Sequence, residues 1–137
     1  MNLRLDPRRH TPIYQQIVQQ IKHLVAIGDL SPGQQLPTVR ALAKQLNVHL
    51  NTVARAYDLL DKDGVISAQQ GRGSYIAERV NHARLRQHRR DTLQTLIHYT
   101  LLEALSLGYT SAEIEEIFRK NLKAWQHQRA ATTRRNK

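Results

Sequence analysis

The chain has 137 residues, and its 21 Lys and Arg against 11 Asp and Glu give a formal net charge of +10 and a pI near 10.5. This excess of positive charge suits a polyanionic partner, although basic proteins without such a partner also exist. Cysteine is absent, which excludes disulfide bonds, thiolate metal sites and cysteine nucleophiles. Apolar runs last only a few residues, so we expect no signal peptide, no membrane span and a cytoplasmic location.

The first predicted helix has Thr11 as its N-cap and Pro12 at its first helical position, and it ends at Gly28. Its apolar stripe is typical of a scaffold helix and consists of Ile13, Ile17, Ile21, Leu24 and Val25. The residues before it are expected to form a loose basic arm that either rests on phosphates or is solvated: Arg4, Arg8, Arg9 and His10.

Two short helices separated by a tight turn are predicted between Pro37 and Gly64. Thr38 is predicted to be the N-cap of the first helix, and Asn47 tolerates the left-handed conformation that ends a helix. Their inner faces follow helical spacing: Val39, Leu42, Ala43 and Leu46, then Val53, Ala56, Tyr57 and Leu60. This outline is typical of a DNA-binding helix-turn-helix, although a helical hairpin in a bundle shows the same spacing.

The outward side chains that open the second of these helices are short or cationic: His49, Asn51, Thr52 and Arg55. Such groups suit base edges and phosphates when a helix enters the major groove with its N-terminus first.

A β-hairpin is predicted next, because β-favouring residues 65–68 and 74–76 flank a glycine-rich turn over residues 69–73. Its tip carries Arg72 between Gly71 and Gly73. A hairpin in this position is a wing, and Arg72 could enter the minor groove or bind phosphate. The alternative is a solvated turn.

These residues resemble the GntR family of bacterial winged helix-turn-helix transcription regulators. The resemblance spans residues 11–76, about half of the chain. It is carried by Pro12, Ile13, Tyr14 and Ile17; Gly28, Leu30, Pro32, Gly33, Leu36 and Pro37; Val39 and Arg40; Asn51, Thr52, Val53, Arg55, Ala56 and Tyr57; and Leu60, Gly64, Gly71 and Gly73. The resemblance implies that five of the polar residues contact DNA: Arg40, Asn51, Thr52, Arg55 and Arg72.

One candidate contact departs from the family pattern. Where many relatives have an arginine just before the Asn-Thr pair, this chain has Leu50, which cannot make the bidentate contact with guanine that arginine makes. Leu50 could touch a thymine methyl group or simply pack, so base preference is expected to differ.

The sequence divides into a DNA-binding domain over residues 1–78 and a helical dimerisation region over residues 79–137. The latter opens with a basic run, Arg79 to Arg90, that could track the DNA backbone or be a solvated helix face. Two helices follow, separated near Gly108, and Thr110 with Glu113 forms a capping box at the second. Their apolar stripes are Leu93, Leu96, Ile97, Leu101, Ala104 and Leu105, then Ile114, Ile117, Phe118, Leu122 and Trp125. The basic tail from Arg129 to Lys137 is expected to be disordered.

Two helices alone bury too little apolar area, so we predict a homodimer in which both subunits contribute to a four-helix bundle. The competing interpretation has the two helices folding back onto the winged domain of the same chain. The short helical region resembles the YtrA-type subfamily, in which it mainly dimerises the protein. A deep effector pocket is not expected, although an unidentified small molecule could bind at a dimer interface.

The sequence supports three classes of function to different degrees. The resemblance and the motifs favour a sequence-specific DNA-binding regulator, by resemblance a repressor, that binds a palindromic operator as a homodimer. The alternative is a sequence-neutral nucleoid-type or RNA-binding protein. An enzyme is not expected, because no Gly-rich phosphate loop, nucleophile elbow or inward carboxylate pair is present. No metal is expected, because His82, His88 and His98 lack ligand-like spacing, and no cofactor is predicted.

Overall fold

The computed structural model describes residues 1–69 and 71–135, which form five α-helices and one antiparallel two-stranded sheet. The elements are α1 (Ile13–Ala26), α2 (Val39–Leu46), α3 (Leu50–Lys62), β1 (Ile66–Gln69), β2 (Gly73–Ile76), α4 (His82–Ser106) and α5 (Ser111–Arg135). The predicted fold class, mainly α with a small β-hairpin, is confirmed. The chain divides into two compact units, Met1–Arg90 and Asp91–Lys137. Gln70, which belongs to the predicted hairpin turn, lies outside the described residues.

The core of the first unit lies where α1 and α2 pack against α3, with β1 beside α3. Residues at helical spacing supply it because each helix presents one apolar face. The largest fully buried apolar side chains are Ile17, Ile21, Leu42, Val53, Leu60 and Ile76. The inner faces predicted for α2 and α3 are therefore confirmed, with Val39 and Leu46 half-buried at the margin.

A left-handed residue separates α2 from α3, as predicted. Asn47 has φ 53° and ψ 49°, and the backbone N–H of Val48 donates to the carbonyl of Ala43 at 3.0 Å. Asparagine is one of the few residues besides glycine that visits this conformation routinely. At the other end of α2, the side chain of Thr38 accepts a hydrogen bond from the Ala41 N–H at 3.1 Å, which confirms the predicted cap.

The hairpin pairs Ile66 with Ile76 and Gln69 with Gly73. The loop before α2 also joins β2, which the sequence did not predict. Leu36 N–H donates to the Ser74 carbonyl, and Ile76 N–H donates to the Gln34 carbonyl, each at 2.8 Å. The hairpin is therefore attached along one strand to the segment that leads into α2.

The start of α1 differs from the prediction by one residue. Pro12 has ψ 149°, which is not helical, so Pro12 occupies the cap position and the helix begins at Ile13. Thr11 does not cap the helix with its side chain. Its carbonyl instead accepts a hydrogen bond from Gln16 Nε2 at 2.8 Å.

The N-terminal segment is not a loose arm, and this prediction was wrong. Gln20 exchanges two hydrogen bonds with the backbone of Arg4, accepting from its N–H at 2.8 Å and donating to its carbonyl at 2.7 Å. Gln16 makes the same pair of bonds with the backbone of Asp6. Leu3 is buried in the core. Two α1 glutamines thus fix the segment, while its arginine side chains remain exposed.

An ion pair joins α1 to the end of α3 within the first unit. Lys22 is only 8% exposed, and its ammonium nitrogen lies 2.6 Å from Asp63 Oδ2. The first turns of α4 meet this pair, because His88 Nδ1 lies 3.3 Å from Lys22 Nζ and Leu85 is buried. A nearly buried cation needs such partners, since an unpaired buried charge is strongly destabilising.

The second unit consists of the later turns of α4 together with α5. The predicted capping box is present: Glu113 N–H donates to Thr110 Oγ1, and Thr110 N–H donates to Glu113 Oε1, both at 3.3 Å. The expectation of disorder from Arg129 onward was wrong as far as Arg135, because α5 continues to that residue. Arg134 and Arg135 lie in its last turn, where cations favour the negative end of the helix dipole. Asn136 and Lys137 lie outside the described residues.

Candidate nucleic-acid interface

The N-terminus of α3 is capped by a histidine. His49 Nδ1 accepts the backbone N–H of Asn51 at 3.1 Å, so the proton of the neutral imidazole resides on Nε2. The ring is exposed. His49 therefore caps the helix with Nδ1 and presents the Nε2 N–H donor to solvent.

The residues that follow the cap present a mixed surface. Leu50 is 40% exposed and Asn51 is exposed, whereas Thr52 is half-buried. An exposed leucine beside an exposed amide offers an apolar contact and a donor-acceptor pair side by side. Such a surface can distinguish base edges in a major groove, where a thymine methyl group and adenine N6 and N7 present these complementary features.

Arg55 lies just over one turn beyond Asn51 on α3 and is exposed. Its guanidinium carbon lies 4.0 Å from the centroid of the Tyr14 ring on α1, a cation–π stack. The sequence singled out Arg55 as a contact but gave Tyr14 no role at the interface. The separation of 41 residues between them left no local pattern from which the stack could be predicted.

Arg40 occupies the second position of α2 and is exposed. The start of this helix is anchored from α3, because the Tyr57 hydroxyl donates to the Pro37 carbonyl at 2.7 Å. Burial raises the pKa of Tyr57 from 10.0 to about 12, so the hydroxyl remains a donor at neutral pH. The position of Arg40 is thereby tied to that of α3.

Arg72 extends from the tip of the hairpin with an exposed side chain. Gly71 and Gly73 flank it with φ of +78° and +96°, a conformation that side-chain-bearing residues rarely adopt. The Arg72 backbone is held, because its N–H donates to the Gln69 carbonyl at 2.9 Å and its carbonyl accepts the Tyr75 hydroxyl at 2.9 Å. An exposed cation thus projects from a fixed turn.

All seven predicted contact residues belong to the first unit, and none of them is buried. Six lie on or beside α2 and α3, and Arg72 lies on the hairpin.

Within residues 1–69 and 71–135, no three His, Asp or Glu side chains are grouped so as to hold a metal ion. In the same residues, no helix combines the length and apolar character required to cross a bilayer.

Three helices followed by a β-hairpin, with the turn between α2 and α3 at Asn47, define the first unit as a winged helix-turn-helix. A family model described as bacterial regulatory proteins, gntR family, matches residues 13–76. A GntR family transcriptional regulator from Listeria monocytogenes superposes with a TM-score of 0.62 at 31% identity, covering 85% of this chain and 98% of that one. The chain belongs to the GntR family.

Two further relatives extend the comparison. YtrA from Sulfolobus acidocaldarius, a GntR-family transcription factor, superposes with a TM-score of 0.54 at 32% identity, covering 89% of this chain and 97% of that one. The HTH-type transcriptional repressor YtrA of Bacillus subtilis (strain 168) is 47% identical over 76 residues, which are 56% of this chain and 58% of that protein. The match thus spans little more than half of this curated relative.

Proposed function

We propose that this protein is a sequence-specific DNA-binding transcription regulator that binds a palindromic operator as a homodimer. The observation that carries this proposal is the exposed, polar and cationic opening of α3, beside the projecting Arg72 of the wing. The family supports it, because its members are regulatory proteins. Double-stranded DNA is the proposed partner, and the formal charge of +10 favours a polyanion.

In this proposal, contacts to base edges and contacts to the DNA backbone or minor groove have different roles. In a helix that enters the major groove, the leading side chains Asn51 and Arg55 read base edges, and Leu50 selects for a methyl group. Arg40 and Arg72 neutralise phosphates or enter the minor groove, which sets register and affinity. A sequence-neutral binder would need only the second kind. The uncharged, exposed Leu50 and Asn51 at the start of α3 therefore favour a sequence-specific role.

Dimerisation is proposed from the second unit, where large apolar side chains are exposed in the single chain. Leu101 is 41% exposed, Phe118 is 58% exposed and Trp125 is 65% exposed, and α5 contains no buried residue. Apolar surface of this extent on a soluble domain marks an association site. A second copy of the helical pair would cover it as a four-helix bundle and would fix the spacing of two recognition helices.

The proposed sign of control is repression, because YtrA of B. subtilis and the mannosyl-D-glycerate system repressor of Escherichia coli are both named as repressors. We place the protein in the cytoplasm, where its operator would be. If the protein has a small-molecule effector, the proposed binding site is the dimer interface. No reaction is assigned to this chain.

The decisive experiment selects bound duplexes from a random pool. The expected motif is palindromic, with half-site centres about one helical turn, roughly 10 base pairs, or a multiple of it apart. Affinity for the selected motif should also fall steeply as salt increases, because each neutralised phosphate releases counterions. Equal affinity for random duplexes at all salt concentrations would refute sequence-specific regulation and favour the sequence-neutral alternative.

Dimerisation is tested separately by sedimentation of Leu101→Asp. A buried charge at the bundle interface should shift the protein to monomers and weaken operator binding. Thr95→Asp is the matched control, since it adds the same charge on the same helix about 120° around the axis from Leu101. A dimer that survives Leu101→Asp unchanged would contradict the proposed interface.

A further inference from the structure

The Tyr14 side chain is placed against the guanidinium of a predicted base-reading residue. Tyr14 lies in the first turn of α1 and is half-buried against the core, whereas Arg55 is exposed on α3. The guanidinium carbon lies 4.0 Å from the ring centroid. The two residues belong to different helices whose packing is fixed by buried apolar side chains, so the ring is a firm platform.

The stack engages the face of the Arg55 guanidinium and none of its N–H donors. Within residues 1–69 and 71–135, no carboxylate, carbonyl or hydroxyl binds this guanidinium. A cation–π contact engages the flat face of the group, whereas all five N–H donors point outward in its plane. As far as the described residues are concerned, Arg55 is therefore restrained in direction and keeps its N–H donors for a ligand.

We propose that Tyr14 is the positioning residue for Arg55 in DNA recognition. The ring holds the guanidinium by its face before binding and presents the N–H edge to the duplex. A free arginine loses rotamer freedom when it is immobilised at an interface, and a restrained one loses less. This role rests on the proposed function of Arg55 as a DNA contact. The experiment therefore distinguishes a failure of the positioning role from a failure of the proposed function.

The expected loss of operator affinity on removing the Tyr14 ring follows from the exposure of the cation–π contact. Exposed cation–π pairs contribute modestly, so loss of the ring should weaken operator binding about two- to fivefold. Loss of Arg55 itself should cost more, because it removes the donors as well as their restraint. Tyr14→Phe should bind like the unaltered protein, since the aromatic face remains and the hydroxyl only accepts a 3.2 Å hydrogen bond from its neighbour Gln15.

The test is a double-mutant cycle on the full chain, with the duplex selected from the random pool as the probe. Tyr14→Leu, Arg55→Ala and the double variant are compared for affinity on the selected duplex and on single-base variants of it. We expect Tyr14→Leu to weaken binding two- to fivefold, and to lose discrimination at the same base pair as Arg55→Ala. In the Arg55→Ala background, Tyr14→Leu should have no further effect.

Each contrary result has a distinct meaning. A Tyr14→Leu loss of the same size in both backgrounds overturns the positioning role, because a general structural defect or an independent contact acts without Arg55. A loss in Tyr14→Phe also overturns it, since the hydroxyl would then be a contact in its own right. If the pool yields no motif, the proposed function fails and the positioning role fails with it; if a motif emerges and the cycle shows no coupling, only the positioning role fails.

Discussion

Removing the hydroxyl of Tyr57 tests how firmly the two helices of the helix-turn-helix are joined. The hydroxyl donates to the Pro37 carbonyl at 2.7 Å, and Tyr57 is 5% exposed. Tyr57→Phe keeps the ring and its packing but leaves that carbonyl without its donor. A net hydrogen bond contributes about 1 kcal/mol, and an unsatisfied, partly buried acceptor adds to the loss, so we expect destabilisation by about 1 to 2 kcal/mol.

The pH dependence of the free energy of unfolding provides a second, independent test of the Tyr57 hydroxyl. Tyrosine in the unfolded chain ionises near its ordinary pKa of 10.0, whereas the pKa of folded Tyr57 is about 12. Between these values the unfolded state releases a proton that the folded state retains, so the stability contribution is full below pH 10 and is lost as pH rises to 12. Two pKa units correspond to about 2 to 3 kcal/mol.

The unaltered protein should therefore be the more stable one at pH 7, and its advantage over Tyr57→Phe should disappear near pH 11. Urea unfolding of both proteins at equal concentration, at pH 7 and across pH 9 to 12, measures the difference and cancels the titration of the other residues. Equal stability at pH 7 would show that water already satisfies the Pro37 carbonyl. A difference that does not change above pH 10 would contradict a desolvated hydroxyl.

Three further variants test the scaffold and the wing. Asn47→Ala should destabilise the protein by about 1 kcal/mol in urea unfolding, because φ is 53° there, and Asn47→Gly should not; equal stability of the two variants would contradict a strained turn. Asp63→Ala should cost about 1 to 3 kcal/mol because it strands the nearly buried Lys22 ammonium, whereas a loss below 0.5 kcal/mol would indicate that Lys22 reaches solvent. Arg72→Ala should weaken binding to all duplexes similarly and lower the salt slope by about 1, and a loss confined to one base pair would make Arg72 a base reader.

The periodic and conformational features of the chain could be predicted from the sequence because their causes are local. Helical spacing placed Leu42, Val53 and Leu60 in the core, and Asn47 marked the turn because few residues accept a positive φ. The capping box at Thr110 has its whole cause within four residues. Each of these features depends on residues that are close to one another in the sequence.

The missed features join residues that are distant in sequence. The sequence pattern gave Gln16 and Gln20 no role, yet each binds the backbone of the N-terminal segment. Nothing in a glutamine signals which backbone group it will meet. The pairing of residues 34–36 with β2 was missed for a similar reason, since a short loop beside Pro32 and Pro37 shows no alternating pattern.

The seven candidate contacts were chosen from residue type and family resemblance, and the structure adds how each is supported. His49 illustrates the difference. Its position suggested a groove contact, but only the 3.1 Å bond from the Asn51 N–H indicates which ring nitrogen remains to make one. Support from other elements, such as the aromatic ring beneath Arg55, depends on helix packing and is absent from any local pattern.

Two contacts between α1 and α3 have a geometric consequence. Tyr14 contacts Arg55, and eight residues further along the sequence in each case Lys22 contacts Asp63, the residue that directly follows α3. Because the spacing is the same in both segments, the two helices run in the same direction and keep the same register over about 12 Å. A cation–π stack near the start of α3 and an ion pair at its end thus flank a buried apolar seam that includes Ile17 and Ile21.

The orientation of α3, the proposed recognition helix, is consequently set by α1 as well as by the turn at Asn47. A rotation of α3 about its own axis would break both polar contacts at once, even if the turn itself remained intact. The first turns of α4 reach the same ion pair through His88, so a displacement of this segment would act on α3 at Asp63. Substitutions on the buried side of α1 should therefore change DNA discrimination without touching the duplex, because they alter the direction in which Asn51 and Arg55 point.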